Sequence, residues 1–303
     1  MIKLTCHSHP RLLALLLSFS ASIGWAQVKH MVVVGVDGLS PDGIQHAATP
    51  NLNHLREHGA WTFHARGVMP TSSSPNWASM IMGAGPEQHG VTSNDWQPDK
   101  FDFPPTVKGP GGIFPTIFSV LREQKPKSIL GVFHDWNDYG RLLERKMVDV
   151  VEDLDGPTNT VQRAVEFIKS RQPTFTFIHL DHVDHAGHHD GHGTPEYYAS
   201  VGVADKLIGE VIAAIKAAGI ENETLLLVTA DHGGKGKGHG GNSLTELEIP
   251  WILAGPGVRV GHEIQSPVNT FDTAATIAHA FKLKAPAAWI ARPVREAFTA
   301  ARP

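Results

Sequence analysis

The sequence predicts an α/β fold: a mostly parallel central sheet sandwiched between helices, with a small cap or insertion. Three observations point there. Short apolar, β-branched runs alternate along the chain with stretches of helical periodicity. Most of these runs are continuously apolar, as in strands covered on both faces. The polar residues able to do chemistry fall just past the ends of the runs, where sites gather in open parallel sheets.

The first 26 residues have the order of a secretory signal. Lys3 and Arg11 give a positive start, Leu12 to Ile23 an apolar centre, and Gly24-Trp25-Ala26 a cleavage site. The apolar centre is short and sharply ended for a membrane-spanning helix. The expectation is an exported protein, periplasmic or secreted, with no stable membrane anchor after cleavage. Residues 27–303 then suit a single catalytic domain.

His30 to Val36 reads as a buried strand that stops at Asp37-Gly38. Thr49 and Pro50 form an N-cap and first-turn pair for a helix to about His58, closed by Gly59. Thr62 to Val68 is a strand, and Asn76 to Met82 a helix ended by Gly83. Asp95 to Gly112, rich in Pro, Lys and Asp, is a surface loop or small insertion. Thr116 to Gln124 is helical, and Ser128 to Phe133 and Val148 to Val151 are strands. Thr158 to Ser170 is a helix with apolar spacing at Val161, Ala164, Val165 and Ile168. Phe175 to Leu180 is a strand and Pro195 to Ala218 a long amphipathic helix. Glu223 to Ala230 and Pro250 to Ala254 are strands, and Thr270 to Phe281 is the last helix.

Loss of Lys3 and Arg11, with no acid in the same segment, takes the net charge from −4 to about −6. A mildly acidic surface argues against a nucleic-acid backbone as partner. A small phosphate-ester substrate held through cations stays compatible. The one cysteine is Cys6, so residues 27–303 offer neither a disulfide nor a thiolate ligand. Any metal must be held by His, Asp and Glu.

The densest run of such ligands is His179-Leu180-Asp181-His182-Val183-Asp184-His185-Ala186-Gly187-His188-His189, delivered by a strand. Oxygen and imidazole donors without thiolate suit Zn²⁺, with Mn²⁺ or Fe as alternatives. The plainer reading is a solvated histidine-rich loop, or a zinc-binding protein without turnover. A second strand ends in Asp231-His232-Gly233-Gly234, where glycines allow a tight turn that aims both side chains at one point. His239 follows in a glycine bend, and Asp37 follows the first strand. Two ions about 3.5–4 Å apart need several Asp and His ligands from different strand ends. Asp37, Asp184, His188, Asp231, His232 and His239 make such a set. Pro70-Thr71-Ser72-Ser73-Ser74-Pro75-Asn76 places hydroxyls at a helix start, where a nearby cation would favour the alkoxide.

In order, these residues resemble the alkaline phosphatase superfamily, in particular its type I phosphodiesterase and nucleotide pyrophosphatase branch. The matching runs are Val-Asp-Gly at 36–38, Thr-Pro-Asn-Leu at 49–52, and Pro-Thr-x-Ser-x-Pro-Asn at 70–76. Gly-Pro-Glu-Gln-His-Gly-Val at 85–91, Asn94, Asp-His-Ala-Gly-His at 184–188 and Asp-His-Gly at 231–233 continue the series. The resemblance implies an alkaline-phosphatase-like fold and a hydrolase with two Zn²⁺ ions. Ser73 takes the nucleophile position, where this branch usually has threonine, and would pass through a phosphoserine. One metal would be held by Asp184, His188 and His239, the other by Asp37, Asp231, His232 and the Ser73 oxygen. Asn94 matches the asparagine that donates to a phosphate oxygen.

Departures from the pattern bear on the substrate. Ser74 stands where nucleotide pyrophosphatases carry an aromatic residue that stacks on the base. Trp77, where sulfatases have arginine, disfavours sulfate esters. Monoesterases of the superfamily carry cations after a strand like Ile129 to Phe133, and His134-Asp135-Trp136-Asn137 has none. That favours diesters, with a phosphomonoesterase of the same fold as the alternative.

Overall fold

The computed structural model describes residues 1–3 and 28–299. The signal expected over residues 1–26 therefore lies almost wholly outside the described residues.

Eight strands form one sheet: β1 (His30–Val36), β2 (Gly59–Arg66), β3 (Leu130–His134), β4 (Val150–Asp153), β5 (Phe175–Leu180), β6 (Thr224–Thr229), β7 (Glu248–Ala254) and β8 (His262–Glu263). Their spatial order is β4-β3-β5-β1-β6-β7-β2-β8. The β4-β3-β5-β1-β6 portion is parallel throughout. β7 runs antiparallel to both of its neighbours, so the sheet is mixed at that side.

The central strands are covered on both faces. In β1 every residue from Met31 to Val36 is buried, and β5 and β6 are buried along their whole length. Burying a Val or Ile side chain stabilises by roughly 1.5–3 kcal/mol, so Val32, Val33, Val34 and Val36 give β1 a strong claim to the centre. The helices form two contacting groups. Gly156–Arg171, Pro195–Ala217 and Pro50–His58 make one, and Ser73–Met82, Ile117–Gln124 and Asp272–Ala280 the other. Gly35 of β1 admits one of them closely: a Cβ there would lie 2.5 Å from the Trp77 ring.

Parallel pairing brings the C-terminal ends of β1, β5 and β6 to one edge. Val36 faces Leu180, and Gly35 faces Thr229. β2 points the same way as β6, since both are antiparallel to β7. Its end at Arg66 therefore feeds the 67–72 segment and the helix Ser73–Met82 into that edge.

Several elements differ from the sequence expectation. The Ser73–Met82 helix begins three residues before Asn76, which puts Ser73 in its first turn with Ser72 as N-cap. Residues 182–189, where the sequence shows mostly ligands, form a helix, His182–His189. Short helices Pro41–His46, Pro86–His89 and Leu244–Leu247, and the two-residue β8, lack a strong periodic signal. Between Asp95 and Gly112 the chain makes one β-bridge and one 3₁₀ turn.

Candidate active site

Asp37 follows β1 directly and is buried. Its amide donates to Leu180 O at 2.8 Å, which extends the β1–β5 ladder by one residue and fixes where the carboxylate leaves the sheet. Gly38 next to it has φ of +67°, and a Cβ there would lie 2.9 Å from Asp184 Cα and Oδ1. Glycine thus meets two demands at once, a left-handed turn and close approach of Asp184. The Gly38 amide donates to Asp231 Oδ1 at 3.2 Å, which joins the ends of β1 and β6.

Ser73 is 5 % exposed and its Oγ lies 3.2 Å from His232 Nε2. The Pro-Asn pair after it has a structural task. The buried Asn76 accepts from Val68 N at 2.6 Å and donates to the carbonyls of Val68, Pro70 and Ser72. One side chain so fastens the whole approach to the Ser73–Met82 helix. The Ser74 amide at the helix start donates to Asn94 Oδ1 at 2.8 Å. That engages the oxygen of the Asn94 amide and leaves its NH₂ for another acceptor.

The three site histidines share one arrangement. His188 Nδ1 is 3.0 Å from Lys237 O, His232 Nδ1 2.8 Å from Gly233 O, and His239 Nδ1 2.9 Å from Thr71 O. A ring whose Nδ1–H is spent on a carbonyl presents its Nε2 lone pair, the tautomer a metal takes. His188 and Asp184 are four apart on one helix, hence on one face, with Nε2 3.2 Å from Oδ2. His239 Nε2 lies 3.8 Å from Asp184 Oδ1, and its ring stacks on His232 at 3.8 Å. His232 Nε2 is also 3.3 Å from Asp37 Oδ1 and 3.1 Å from Asp231 Oδ2.

Two groups of three donors result, Asp184 with His188 and His239, and Asp37 with Asp184 and His232, each with ligand atoms within 4.8 Å of one another. Asp184 belongs to both. Asp231 stands beside the second through His232. All seven sequence-predicted metal positions, including Ser73, thus meet at one edge of the sheet, with Asn94 at the same helix start.

The donors fit cations. Asp37 Oδ1, Asp184 Oδ1 and Asp231 Oδ2 are buried without a hydrogen-bond partner, and three carboxylates in a dry site repel one another. Burial, then Asp231, pushes Asp37 up to about 6, and burial, then Asp184, pushes Asp231 up to about 8. Burial also acts upward on Asp184, but the hydrogen bond with His188 and the nearby imidazoles outweigh it and hold this group at about 2. The His188 hydrogen bond with Asp184 raises the imidazole to about 9. A tetrahedral ion with bonds of about 2 Å would separate its ligand atoms by about 3.3 Å. The His188–Asp184 and His232–Asp37 separations match that spacing.

Other residues of the histidine-rich stretch do different work. His179 is buried in β5, 3.3 Å from Asp37 Oδ2 and 3.5 Å from Asp135 Oδ1. Burial disfavours its charge, yet the bonds with Asp135 and Asp37 win and raise it to about 10. Trp77 Nε1 donates to the same Asp37 oxygen at 3.0 Å. Trp77 and Trp96 belong to the core. His185 and His189 face solvent.

Sequence reading missed Arg141. Residues 134–137 carry no cation, but the 3₁₀ turn Asn137–Arg141 places a guanidinium against the start of the Ser73–Met82 helix. Arg141 donates to Asn94 O and lies 3.3 Å from Ser74 Oγ, while Asp138 holds its other arm at 2.8 Å. The expectation of no cation off this strand is corrected. The fold returns Arg141 across a turn whose geometry has no periodic signature. A third His/Glu group, His54, Glu57 and His58, is exposed on the helix that precedes β2, at the opposite end of the sheet.

Comparison with known proteins agrees with this architecture. Mouse ectonucleotide pyrophosphatase/phosphodiesterase family member 1 is 24 % identical over 196 residues, 61 % of this chain and 21 % of that protein. A venom phosphodiesterase of Naja atra is 21 % identical over 241 residues, 67 % of this chain and 26 % of its own length. The chain thus spans about a quarter or less of these relatives. Murine ectonucleotide pyrophosphatase/phosphodiesterase 5, solved as an inactive variant in complex with AMP, superposes with a TM-score of 0.74 at 15 % identity, covering 89 % of this chain and 100 % of that one. The family model for type I phosphodiesterase / nucleotide pyrophosphatase matches residues 31–238, well over half of the sequence, and the chain belongs to that family.

Proposed function

We propose that this protein is an exported two-metal hydrolase of phosphate esters that cleaves phosphodiester or pyrophosphate bonds through a phosphoserine at Ser73. The observation that carries this is the convergence at Ser73. Its hydroxyl sits in the first turn of a helix, 3.2 Å from His232 Nε2, beside Asp37 Oδ1 and Asp231 Oδ2, which are buried without a partner. Asp184, His188 and His239 would hold one ion. Asp37, Asp231, His232 and the Ser73 oxygen would hold the other. Zn²⁺ fits these N and O donors best, with Mn²⁺ or Fe next. When bound, the ions lower the pKa of the serine hydroxyl and offset charge on the attacking and leaving oxygens.

The chain's own residues supply the rest. Ser73 Oγ, its proton given up to solvent, attacks phosphorus in line; the Oγ–P bond forms as the bond from phosphorus to the ester oxygen breaks, and that oxygen leaves with a proton from water. Asn94, its amide oxygen held by the Ser74 N–H, turns its NH₂ toward a phosphoryl oxygen. The positive end of the Ser73–Met82 helix favours the anionic group. Asn76 holds the 68–72 approach rigid, so Ser73 is already oriented. Water then cleaves the phosphoserine and restores the hydroxyl. The small phosphate-ester substrate is the expected partner. The test is relative hydrolysis of bis(p-nitrophenyl) phosphate and p-nitrophenyl phosphate by the zinc-loaded protein. A diester preference supports this function and a monoester preference overturns it.

One observation favours a phosphomonoesterase as a second reading. Arg141 lies against Ser74 and Asn94 with its Nε buried and unpartnered, so a cation is at hand for the extra charge of a monoester.

A further inference from the structure

Between the two ligand-bearing segments lies an imidazole whose side chain is 5 % exposed, that of His192. Both of its ring nitrogens are buried without a hydrogen-bond partner. The ring is slotted between two glycines. A Cβ at Gly187 would lie 2.3 Å from His192 Nε2, and one at Gly234 would lie 2.1 Å from the same atom. Neither glycine has a positive φ, so backbone conformation does not call for them. Gly187 even sits inside the helix His182–His189, where glycine costs roughly 0.5–1 kcal/mol relative to alanine. The space itself is what both glycines supply. The His192 amide donates to Gly236 O at 2.8 Å, which ties this residue to the loop that carries His232 and His239.

His192 Nε2 points to Asp184 at 3.9 Å from Oδ1, and that oxygen is itself buried and unpartnered. Two orphaned polar atoms facing each other across slightly more than hydrogen-bond distance cost stability. Such an arrangement calls for an explanation beyond packing. We propose that His192 is a positioning residue of the metal centre, whose Nε2–H donates to Asp184 Oδ1 and fixes that carboxylate when the ions are bound. Asp184 is the residue common to both ligand groups, so its orientation bears on each of them. The proposal rests on Asp184 being a metal ligand.

The experiment compares zinc affinity, by competition with a chromophoric chelator, in wild type, Asp184→Asn, His192→Gln and His192→Phe, with melting of each metal-free protein. His192→Phe loses both nitrogens, and its six-membered ring is somewhat larger than the imidazole it replaces. It is expected to weaken zinc binding by roughly 10–100-fold. Its metal-free melting temperature measures any packing cost of the larger ring in the glycine slot, so that cost is read separately from the zinc affinity. His192→Gln retains an N–H near the Nε2 position and is expected to recover most of the affinity. Gly187→Ala supplies a second variant: it favours the helix, displaces the ring, and should weaken zinc binding in the same way. Wild type binding two zinc ions, with His192→Phe and Gly187→Ala binding them equally tightly, overturns the proposal alone. Wild type binding no zinc overturns the reading of the site together with it.

Discussion

His232 presents Nε2 to Ser73 Oγ at 3.2 Å, and the same nitrogen lies 3.3 Å from Asp37 Oδ1 and 3.1 Å from Asp231 Oδ2. Donors from three parts of the chain thus share one point, and Asp37 Oδ1 and Asp231 Oδ2 there have no hydrogen-bond partner. A cation among the donors would relieve this crowding of buried charge. His232→Ala should therefore remove one of two zinc ions while Asp184, His188 and His239 keep theirs. Metal analysis of the purified variant checks this, with about one ion per chain expected; two ions retained would contradict it.

Metal binding should be pH-dependent in a defined direction. In the metal-free protein Asp231, pushed up to about 8, and His188, raised to about 9, hold protons at pH 7. Asp37, at about 6, holds another below that. Ions take the deprotonated donors and must displace those protons. Zinc affinity should accordingly rise from pH 6 to 9, by up to about tenfold per pH unit for each proton displaced. Calorimetry in two buffers of different ionisation enthalpy reads the proton release. A flat affinity across this range would contradict the donor assignment.

Asn76 makes a stability prediction. Its side chain bonds Val68 N–H and three carbonyls in a buried position. Asn76→Ala leaves those backbone groups unsatisfied, which should cost about 2–4 kcal/mol. Urea denaturation of the metal-free protein measures it. A loss under 0.5 kcal/mol, by the same scale, would show that the 68–72 segment is held elsewhere.

Arg141→Ala separates the two substrate classes. A charged hydrogen bond to a monoester dianion is worth about 1.5–3 kcal/mol, so kcat/KM for p-nitrophenyl phosphate should fall at least about tenfold further than for bis(p-nitrophenyl) phosphate. Equal losses on both substrates would confine Arg141 to holding Asn94.

How legible all this was in the sequence depended on range. β1, β5 and β6 stand out because they are buried on both faces and read as unbroken apolar runs. The carboxylates and histidines past their ends were found for the same reason, since the end of a buried strand is also the mouth of the site. The antiparallel placement of β7 left no local trace, because direction is set by partners far along the chain. The helix His182–His189 was hidden by its own ligands: polar side chains that face a site break the apolar period. Arg141 and His192 were missed because their importance lies in what they touch. Arg141 crosses to Asn94 from a 3₁₀ turn, and His192 is marked only by the two glycines that make room for it.

The central claim is that Ser73 is the nucleophile, and the rate of bis(p-nitrophenyl) phosphate hydrolysis by zinc-loaded Ser73→Ala tests it most directly. Turnover should fall by roughly three orders of magnitude or more with near two zinc ions per chain retained. Wild-type turnover in that variant would contradict the account.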